Sequence, residues 1–161
     1  MKKSIRTPSC RLRGATVALL VGSMLGLAAS AGAQTVPSQE FPMKIRMHVD
    51  GQVATATLYD NAAARDFAAL LPLSLTLTDY ARIERIGYLP RKLAREDALA
   101  GVPVKAGDLA YYAPWGNLAI FVENGDGDYS GGLVQLGRVE AGLPALQRPG
   151  PLKLRIERMA D

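Results

Sequence analysis

The stretch KIRMHVDGQVATATLY, residues 44–59, decides the fold class because it contains two strand-like runs and a turn between them. Ile45, Met47 and Val49 alternate with polar residues, a period of two that is typical of a strand with one buried face. The dipeptide DG at 50–51 separates this run from a second one that is rich in β-branched residues. Asp-Gly favours a tight turn because both central residues of a type I′ turn need positive φ. The stretch therefore predicts a β-hairpin.

The rest of the chain continues the pattern of short strands. Further strand-like runs lie at 73–78, 80–89, 108–113, 118–122, 133–139 and 152–157. One clear helix is predicted over 61–71, where Asn61 can cap the first turn and Pro72 ends it, and a shorter helical turn at 141–147. With about eight strands and no alternation of strand and helix, the sequence predicts a mainly β fold, a closed eight-stranded β-barrel with one or two short helices.

The first 33 residues have the three parts of a secretory signal peptide. Residues 1–13 contain five basic residues and no acid, residues 14–29 are apolar, and AGA at 31–33 follows. We therefore expect cleavage after Ala33 and a periplasmic or secreted protein. The apolar run of about 16 residues is shorter than the roughly 20 that span a bilayer. A retained anchor is the alternative interpretation.

Removal of this segment changes the charge balance of the chain. The full sequence has 19 Lys and Arg against 15 Asp and Glu, and the loss of five basic residues leaves 14 against 15. Nucleic acids need clustered positive charge, so we expect no nucleic-acid partner and no stable membrane anchor after cleavage. The predicted organisation is a signal peptide at 1–33, a flexible segment at 34–43 and one barrel domain at 44–161.

Side chains that support metal or nucleophilic chemistry are scarce. The only cysteine, Cys10, lies in the predicted signal peptide, so the mature chain would contain no thiol. The only histidine, His48, lies on the polar face of the first strand, and we expect it to be a solvated strand residue. This composition excludes histidine-rich and thiolate zinc sites and weakens any Ser-His-Asp hypothesis. We expect no cofactor and no bound metal.

Acidic residues suggest two weaker hypotheses. The loop NGDGDYS at 124–130 has oxygen donors at every second position, but Tyr129 and Gln135 stand where an EF-hand needs Gly and Glu. Alternating Gly and Asp is also typical of tight turns, and the missing third glycine excludes a dinucleotide fingerprint. Glu84 and Asp108 could meet in the barrel mouth as a general acid/base pair, although nothing in the sequence sets their distance.

Aromatic residues are concentrated in one part of the chain. Five of the six tyrosines and the only tryptophan fall between residues 80 and 129. Such rings are common where proteins hold ligands, although they also fill barrel cores. Tyr111 and Tyr112 are consecutive on a strand and face opposite sides, so at most one of them belongs to a given site. Arg91 and Lys92, just after Tyr88, could supply donors for a ligand carbonyl or carboxylate. The candidate ligand-binding residues are Tyr88, Arg91, Tyr112, Trp115, Asn117 and Tyr129.

Several short segments carry a family resemblance: LPL (71–73), DY (79–80), IGYLPRKL (86–93), GD (107–108), YYAPWGNLAI (111–120), YS (129–130) and GL (132–133). Together they resemble the bacterial and archaeal cyclophilin-like proteins, a small β-barrel family of largely unassigned function. The resemblance covers nearly all of residues 44–159. It implies a closed eight-stranded cyclophilin-like barrel with flanking helices, in agreement with the strand count.

The resemblance does not by itself imply an activity, because a fold alone does not determine function. True cyclophilins isomerise X-Pro bonds with an apolar pocket and an arginine in a Phe-His-Arg strand, followed by a Phe-Met-x-Gln-x-Gly-Asp segment. Both motifs are absent here, and Arg82, Arg85 and Arg91 could replace that arginine only by geometry. We therefore expect a module that binds a peptide or small polar ligand. Peptidyl-prolyl isomerisation is the alternative, and a dimer or client interface is a third possibility.

Overall fold

The computed structural model describes residues 41–94, 102–125, 127–129 and 131–160. Over these residues the chain forms eight strands and two helices. Neither of the helices in these ranges is long and apolar enough to cross a membrane. The predicted signal peptide at 1–33 and most of the segment at 34–43 lie outside the described residues.

The elements follow one another in an order dominated by strands. They are β1 (Met43–Val49), β2 (Gln52–Leu58), α1 (Ala62–Ala68), β3 (Leu73–Tyr80), β4 (Glu84–Tyr88), β5 (Asp108–Tyr112), β6 (Asn117–Phe121), β7 (Leu133–Ala141), α2 (Leu143–Gln147) and β8 (Leu152–Arg158). Most bounds agree with the runs predicted from the sequence to within a few residues.

The strands close into a barrel in the order β1-β2-β7-β5-β6-β4-β3-β8, and all neighbours are antiparallel. Each described strand pairs on both sides, so none of them presents a free edge. The prediction of a mainly β, closed eight-stranded barrel with two short helices is confirmed. The predicted opening hairpin is confirmed as well, because Val49 pairs with Gln52 across a turn in which Asp50 and Gly51 have φ of 44° and 83°.

The interior of the barrel is filled by side chains from alternate strand positions. In β1 the apolar residues Ile45, Met47 and Val49 are buried, as their spacing predicts. Tyr111 of β5 also belongs to the interior, and its hydroxyl accepts a hydrogen bond from the Leu93 backbone N–H at 3.2 Å. Each fully buried aliphatic or aromatic side chain contributes about 1.5–3 kcal/mol, so this core is the main source of stability.

A second, smaller apolar cluster lies on the outer side of the barrel wall. Ala110 of β5 and Ala119 of β6 alternate with interior residues and therefore point the opposite way. Together with Ile86 of β4 they form a surface of small side chains against which Val104 and Tyr129 pack. The outer side of β4, β5 and β6 is thus covered in one part and open in another.

Gly137 of β7 shows how closely the barrel wall packs between β2 and β7. A Cβ atom at this position would lie 2.2 Å from the Thr57 carbonyl oxygen, so a side chain would force the strands apart. The pairing of β2 with β7 shifts register between Thr55 and Ala56. Such an irregularity bends a strand and increases its twist, which a small closed barrel requires.

Helix α1 begins where the sequence predicts because Asn61 caps it. The Asn61 Oδ1 accepts a hydrogen bond from the Ala64 backbone N–H at 2.8 Å and so satisfies one of the unpaired donors of the first turn. The helix ends at Ala68, earlier than the predicted end at Leu71, and Pro72 follows. The helix packs on β7.

The strand predicted at 80–89 is shorter in the structure because a turn occupies residues 81–83. β3 ends at Tyr80 and β4 begins at Glu84, and these two residues pair across the turn. Ala81 and Arg82 have φ of 49° and 68°. Non-glycine residues rarely adopt positive φ, and neither position carries the Gly, Asn or Asp that usually marks such a turn. The hairpin brings Tyr80 and Glu84 together.

Candidate functional site

A cleft of about 180 Å³ opens on the outer side of the barrel wall, where β3, β4, β5 and β6 lie side by side. Its described lining consists of three aromatic rings, two acids, two aliphatic side chains and one amide: Tyr80, Tyr112, Trp115, Glu84, Asp128, Ile86, Leu133 and Asn117. This cavity, the outer cleft, is several times larger than the roughly 30 Å³ that one water molecule occupies in the liquid. It can therefore admit a small organic group.

Tyr80, Tyr112 and Trp115 form the aromatic wall of the outer cleft. The Tyr80 and Trp115 ring centroids are 5.4 Å apart with the planes at 90°, and those of Tyr112 and Trp115 are 5.5 Å apart at 77°. Both are edge-to-face contacts, each worth about 0.5–1.5 kcal/mol beyond the area that they bury. Trp115 nevertheless stays 46% exposed and Tyr80 42% exposed. The rings contact one another and still keep exposed surface.

The β5–β6 hairpin places three of the predicted site residues in the cleft. Tyr112 pairs with Asn117 at the end of the hairpin, so both side chains leave the sheet on the same side. Trp115 lies in the turn between them. Gly116 completes the turn with φ of 70°, and its N–H donates to the Tyr112 carbonyl at 2.9 Å.

Asn117 is the buried polar side chain of the outer cleft. The residue is 1% exposed, and its Oδ1 has no hydrogen-bond partner among the described residues. Most buried polar atoms in proteins are paired, and an unpaired buried acceptor costs about 1–3 kcal/mol. Asn117 lines the outer cleft, so this unpaired acceptor belongs to a residue of the cleft wall.

Two carboxylates complete the lining. Glu84 is half-buried and Asp128 is exposed, and within the described ranges neither side chain makes a hydrogen bond or ion pair. Burial raises the pKa of Glu84 because the charged form loses solvation. Both acids also line an adjoining groove of about 190 Å³, together with Ile83, Val104 and Phe121. The acids therefore stand where the two cavities meet.

Tyr129 was predicted to face the ligand, but the structure places it elsewhere. Its ring is fully buried in the smaller apolar cluster, and its hydroxyl donates to the Asp108 Oδ2 at 3.3 Å. Burial, with the nearby Asp108 carboxylate, raises the pKa of Tyr129. An apolar patch on the outer side of a sheet needs a cover, and this ring supplies it. Tyr129 therefore has a structural position outside the outer cleft.

Arg91 and Tyr88 also lie outside the outer cleft. The Arg91 guanidinium donates to both carboxylate oxygens of Asp66 in α1, at 2.8 and 2.5 Å, so its donors hold the segment after β4 against the helix. Tyr88 pairs with Asn117 in the sheet register, but it is 63% exposed at the end of β4 and does not line the cleft. The structure thus brings together Tyr112, Trp115 and Asn117 of the six predicted residues.

The suggested acid pair of Glu84 and Asp108 is not present. Asp108 is 2% exposed, and its carboxylate lies 2.5 Å from the Arg138 guanidinium and accepts a hydrogen bond from the Lys105 N–H at 2.9 Å. It does not line the outer cleft, whereas Glu84 does. The acid that shares the cleft with Glu84 is Asp128, from the loop before β7.

A wider groove of about 530 Å³ runs over the outer side of β1, β3 and β8 and includes His48. The His48 Nε2 lies 3.0 Å from the Glu157 Oε1, and this hydrogen bond is the main cause that lowers the pKa of Glu157. Arg155 contacts the second oxygen of Glu157 at 3.6 Å, and Asp50 pairs with Arg148 at 3.2 Å. These five charged groups pair with one another, in contrast to the Asn117 Oδ1.

The loop at 124–130 is described only in part. The Asn124 Oδ1 accepts a hydrogen bond from the Ala106 N–H at 3.0 Å, which is a turn-stabilising contact. Asp126 and Ser130 lie outside the described residues, so the weak calcium hypothesis for this loop stays untested. Among the residues that the structure describes, no three His, Cys, Asp or Glu side chains are grouped as a metal site needs.

Five residues of the outer cleft were not among the candidate ligand-binding residues, although Glu84 was suggested as an acid together with Asp108: Tyr80, Glu84, Ile86, Asp128 and Leu133. Tyr80 and Glu84 depend on the β3–β4 turn, which no residue type indicated. Leu133 reaches the cleft because it pairs with Tyr112 across β5 and β7. A correct register for the strands around β5 is the signal that would have found it.

The three arginines considered for prolyl isomerisation do not line the outer cleft. Arg85 is 3% exposed, donates from Nε to the Leu146 carbonyl at 2.8 Å and pairs with Asp79. Arg91 is held by its contacts with α1, and Arg82 lies in the β3–β4 turn.

Comparison with known proteins shows which family has this fold. The family model described as the cyclophilin-like family matches residues 47–157. No curated protein matches the chain in sequence. A solution structure of a hypothetical protein from Archaeoglobus fulgidus is similar, with a TM-score of 0.57 and 17% identity over 76% of this chain and 99% of that one. At this identity the similarity shows the fold alone. Because the family model matches more than half of the chain, the chain belongs to the cyclophilin-like family.

Proposed function

We propose that this protein is a binding module that holds a peptide segment or a small polar ligand in the outer cleft. The observation that carries the proposal is the buried Asn117 amide, whose Oδ1 has no partner among the described residues. Tyr112 and Trp115 stand beside it with exposed aromatic surface. A ligand with an apolar group and an N–H or O–H donor would contact the rings and satisfy the acceptor.

Isothermal titration calorimetry with ligands from a peptide and metabolite panel tests this proposal. Trp115→Ala and Asn117→Leu should each weaken binding at least about tenfold, which corresponds to about 1.4 kcal/mol. Tyr88→Ala is the matched control because it removes an exposed ring outside the cleft, and it should leave affinity unchanged. Equal affinity in Asn117→Leu and the native protein for every ligand would contradict the proposed site.

Peptidyl-prolyl isomerisation is the alternative function. An aromatic-walled cleft on the outer side of the barrel suits a proline ring, but its described lining contains no arginine to donate toward the prolyl nitrogen. The uncatalysed barrier is about 20 kcal/mol, so even modest catalysis is measurable in a protease-coupled assay. A rate equal to that of buffer at micromolar protein would exclude this alternative. Acceleration that Trp115→Ala abolishes would replace binding by catalysis as the function of the cleft.

A dimer or client-protein interface is the third possibility. Trp115 and Tyr80 are exposed large side chains, and such residues are enriched at protein interfaces. Size-exclusion chromatography and cross-linking distinguish this case. A dimer that dissociates in Trp115→Ala would show that a second copy covers the cleft.

We also propose that the protein is exported to the periplasm or beyond and that residues 1–33 are removed. The support is the basic, apolar and small-residue pattern of that segment. N-terminal sequencing of the protein from fractionated cells should find Gln34 as the first residue. A chain that retains Met1 in the cytoplasmic fraction would contradict export.

A further inference from the structure

The charged residues that are described in the lining of the outer cleft are all acidic. Glu84 and Asp128 line both the cleft and the adjoining groove, and no Lys or Arg is among the described residues that line either cavity. Neither carboxylate is paired within the described ranges. Tyr80 from β3 and Phe121 from β6 are the cross-strand neighbours of Glu84, so no base faces it from the paired strands. Among these described residues, the half-buried Glu84 therefore lacks the counter-charge that buried carboxylates usually have.

The aromatic wall of the outer cleft also favours a positively charged ligand. Tyr80 and Tyr112 meet Trp115 at 90° and 77°, an arrangement in which faces of different rings can contact one group from several sides. The face of an aromatic ring carries the negative part of its quadrupole and attracts cations. Sites walled by several aromatic rings are one means by which proteins recognise ammonium groups.

The half-buried position of Glu84 adds a further argument. Burial raises the pKa of this carboxyl because it disfavours the charged form. A cation next to the carboxylate would offset that cost directly, whereas an anionic ligand would increase it. The groups around the cleft thus complement a positive charge in both their formal charges and their ring quadrupoles.

We propose that the outer cleft selects ligands that carry an ammonium group, with the cation against the three rings and its charge toward Glu84 and Asp128. This rests on the proposed binding function and names its ligand class. Two sources share this chemistry: a free alkylammonium compound and the side chain of a lysine in a peptide. The volume of about 180 Å³ accommodates the cationic head group of either source.

Trp115 provides the readout, because it is the only tryptophan of the sequence and it lines the cleft. Its fluorescence is followed while the protein is titrated with choline and, separately, with 3,3-dimethylbutan-1-ol, which has the same shape without the charge. Choline should bind at least about tenfold more tightly, a difference within the range of cation–π and charge contacts. Equal or tighter binding of the neutral alcohol would overturn the cation preference.

A second pair of probes distinguishes the two sources. N-acetyl-lysine methylamide is compared with N-acetyl-norleucine methylamide, which lacks only the charged end. Preference for the lysine compound together with weak choline binding identifies a peptide side chain as the source. Preference for choline alone identifies a free ammonium compound. If neither cation is preferred over its neutral partner, the proposal is wrong.

The Glu84→Gln variant assigns the effect to the cleft. It keeps the size of the side chain and should weaken the preferred cation about tenfold while leaving its neutral partner unchanged. Glu140→Gln removes the same charge from β7 outside the cleft and should have no effect. Equal losses of cation affinity in both variants would show that the preference depends only on the net charge of the protein, and would overturn the proposal. Neutral panel ligands that lose affinity in Asn117→Leu would leave the proposed binding function intact even then.

Discussion

Tyr111 and Tyr112 are neighbours in β5, yet they belong to opposite sides of one barrel wall. Tyr111 points inward, is 1% exposed, and its hydroxyl has a backbone partner in Leu93. Tyr112 points outward, keeps part of its ring accessible and meets Trp115 edge to face. The two residues differ in what surrounds them and not in their chemistry.

Under the proposed function, this difference separates residues that stabilise the fold from residues that bind a ligand within one strand. Eight paired strands surround the interior, and its apolar side chains pack against one another. The outer cleft instead holds exposed rings, two unpaired carboxylates among the described residues and the unpaired Asn117 amide. Mutations on the inner side should therefore change the free energy of unfolding, and mutations in the outer cleft should change affinity.

The largest expected effect comes from the two tyrosines themselves. Tyr111→Ala should lower the free energy of unfolding by about 3–5 kcal/mol, because it leaves a cavity in the interior. Tyr112→Ala should lower it by only about 1 kcal/mol, the value of its edge contact with Trp115, while it weakens ligand binding. Urea denaturation of the two variants measures the contrast. Similar losses of stability in both would remove the distinction between the two sides.

Two asparagines sharpen the comparison. Asn61 has partners at both ends of its amide, since Oδ1 accepts from Ala64 and Nδ2 donates to the Gln135 carbonyl at 2.9 Å. Asn61→Leu should therefore cost about 1–2 kcal/mol of stability. Asn117→Leu should leave stability unchanged or raise it by about 1 kcal/mol, because it removes an unpaired buried acceptor. Thermal or urea unfolding decides, and a large loss in Asn117→Leu would show that its amide is paired in solution.

Tyr129 tests whether a buried residue on the outer side of the barrel affects stability or ligand affinity. Tyr129→Phe removes the hydroxyl that donates to Asp108 and should cost about 1 kcal/mol. Ligand affinity measured by calorimetry should stay the same, because the ring does not line the cleft. An affinity loss of tenfold or more would return Tyr129 to the binding site.

Arg91 should give the smallest effect. The hydrogen bond from Arg91 is the main cause that lowers the pKa of Asp66 in the folded protein. A carboxyl whose folded pKa lies below its unfolded value stabilises the protein above the unfolded pKa and loses this contribution as pH falls through the folded pKa. The stability difference between native protein and Arg91→Ala should therefore be slight at neutral pH and shrink on acidification. A difference that grows as pH falls would contradict this contact.

The sequence predicted the barrel because its signals are local and periodic. Alternation in β1, the DG turn and the cap at Asn61 each depend on residues a few positions apart. The part of the site that lies in one hairpin, from Tyr112 to Asn117, was predictable for the same reason. Chain proximity alone brings these residues together, whatever the rest of the barrel does.

The other half of the site depends on features that the local pattern does not carry. Tyr80 meets Glu84 only because Ala81 and Arg82 adopt positive φ, which their residue types do not favour. The position of Tyr129 was not predictable because an aromatic residue in a loop can cover a sheet or face solvent, and only tertiary packing distinguishes the two. Asp128 reaches the cleft through the same long-range packing.

The most direct test of the account is a two-dimensional ¹H–¹⁵N NMR titration of the labelled protein with a ligand that the panel identifies. We expect the largest chemical-shift changes at the Trp115 indole N–H and the Asn117 side-chain amide, which both line the outer cleft at the β5–β6 turn. The proposed site would be contradicted if those signals stayed fixed while the largest changes fell on His48 and Lys153 in the wider groove on the other part of the barrel.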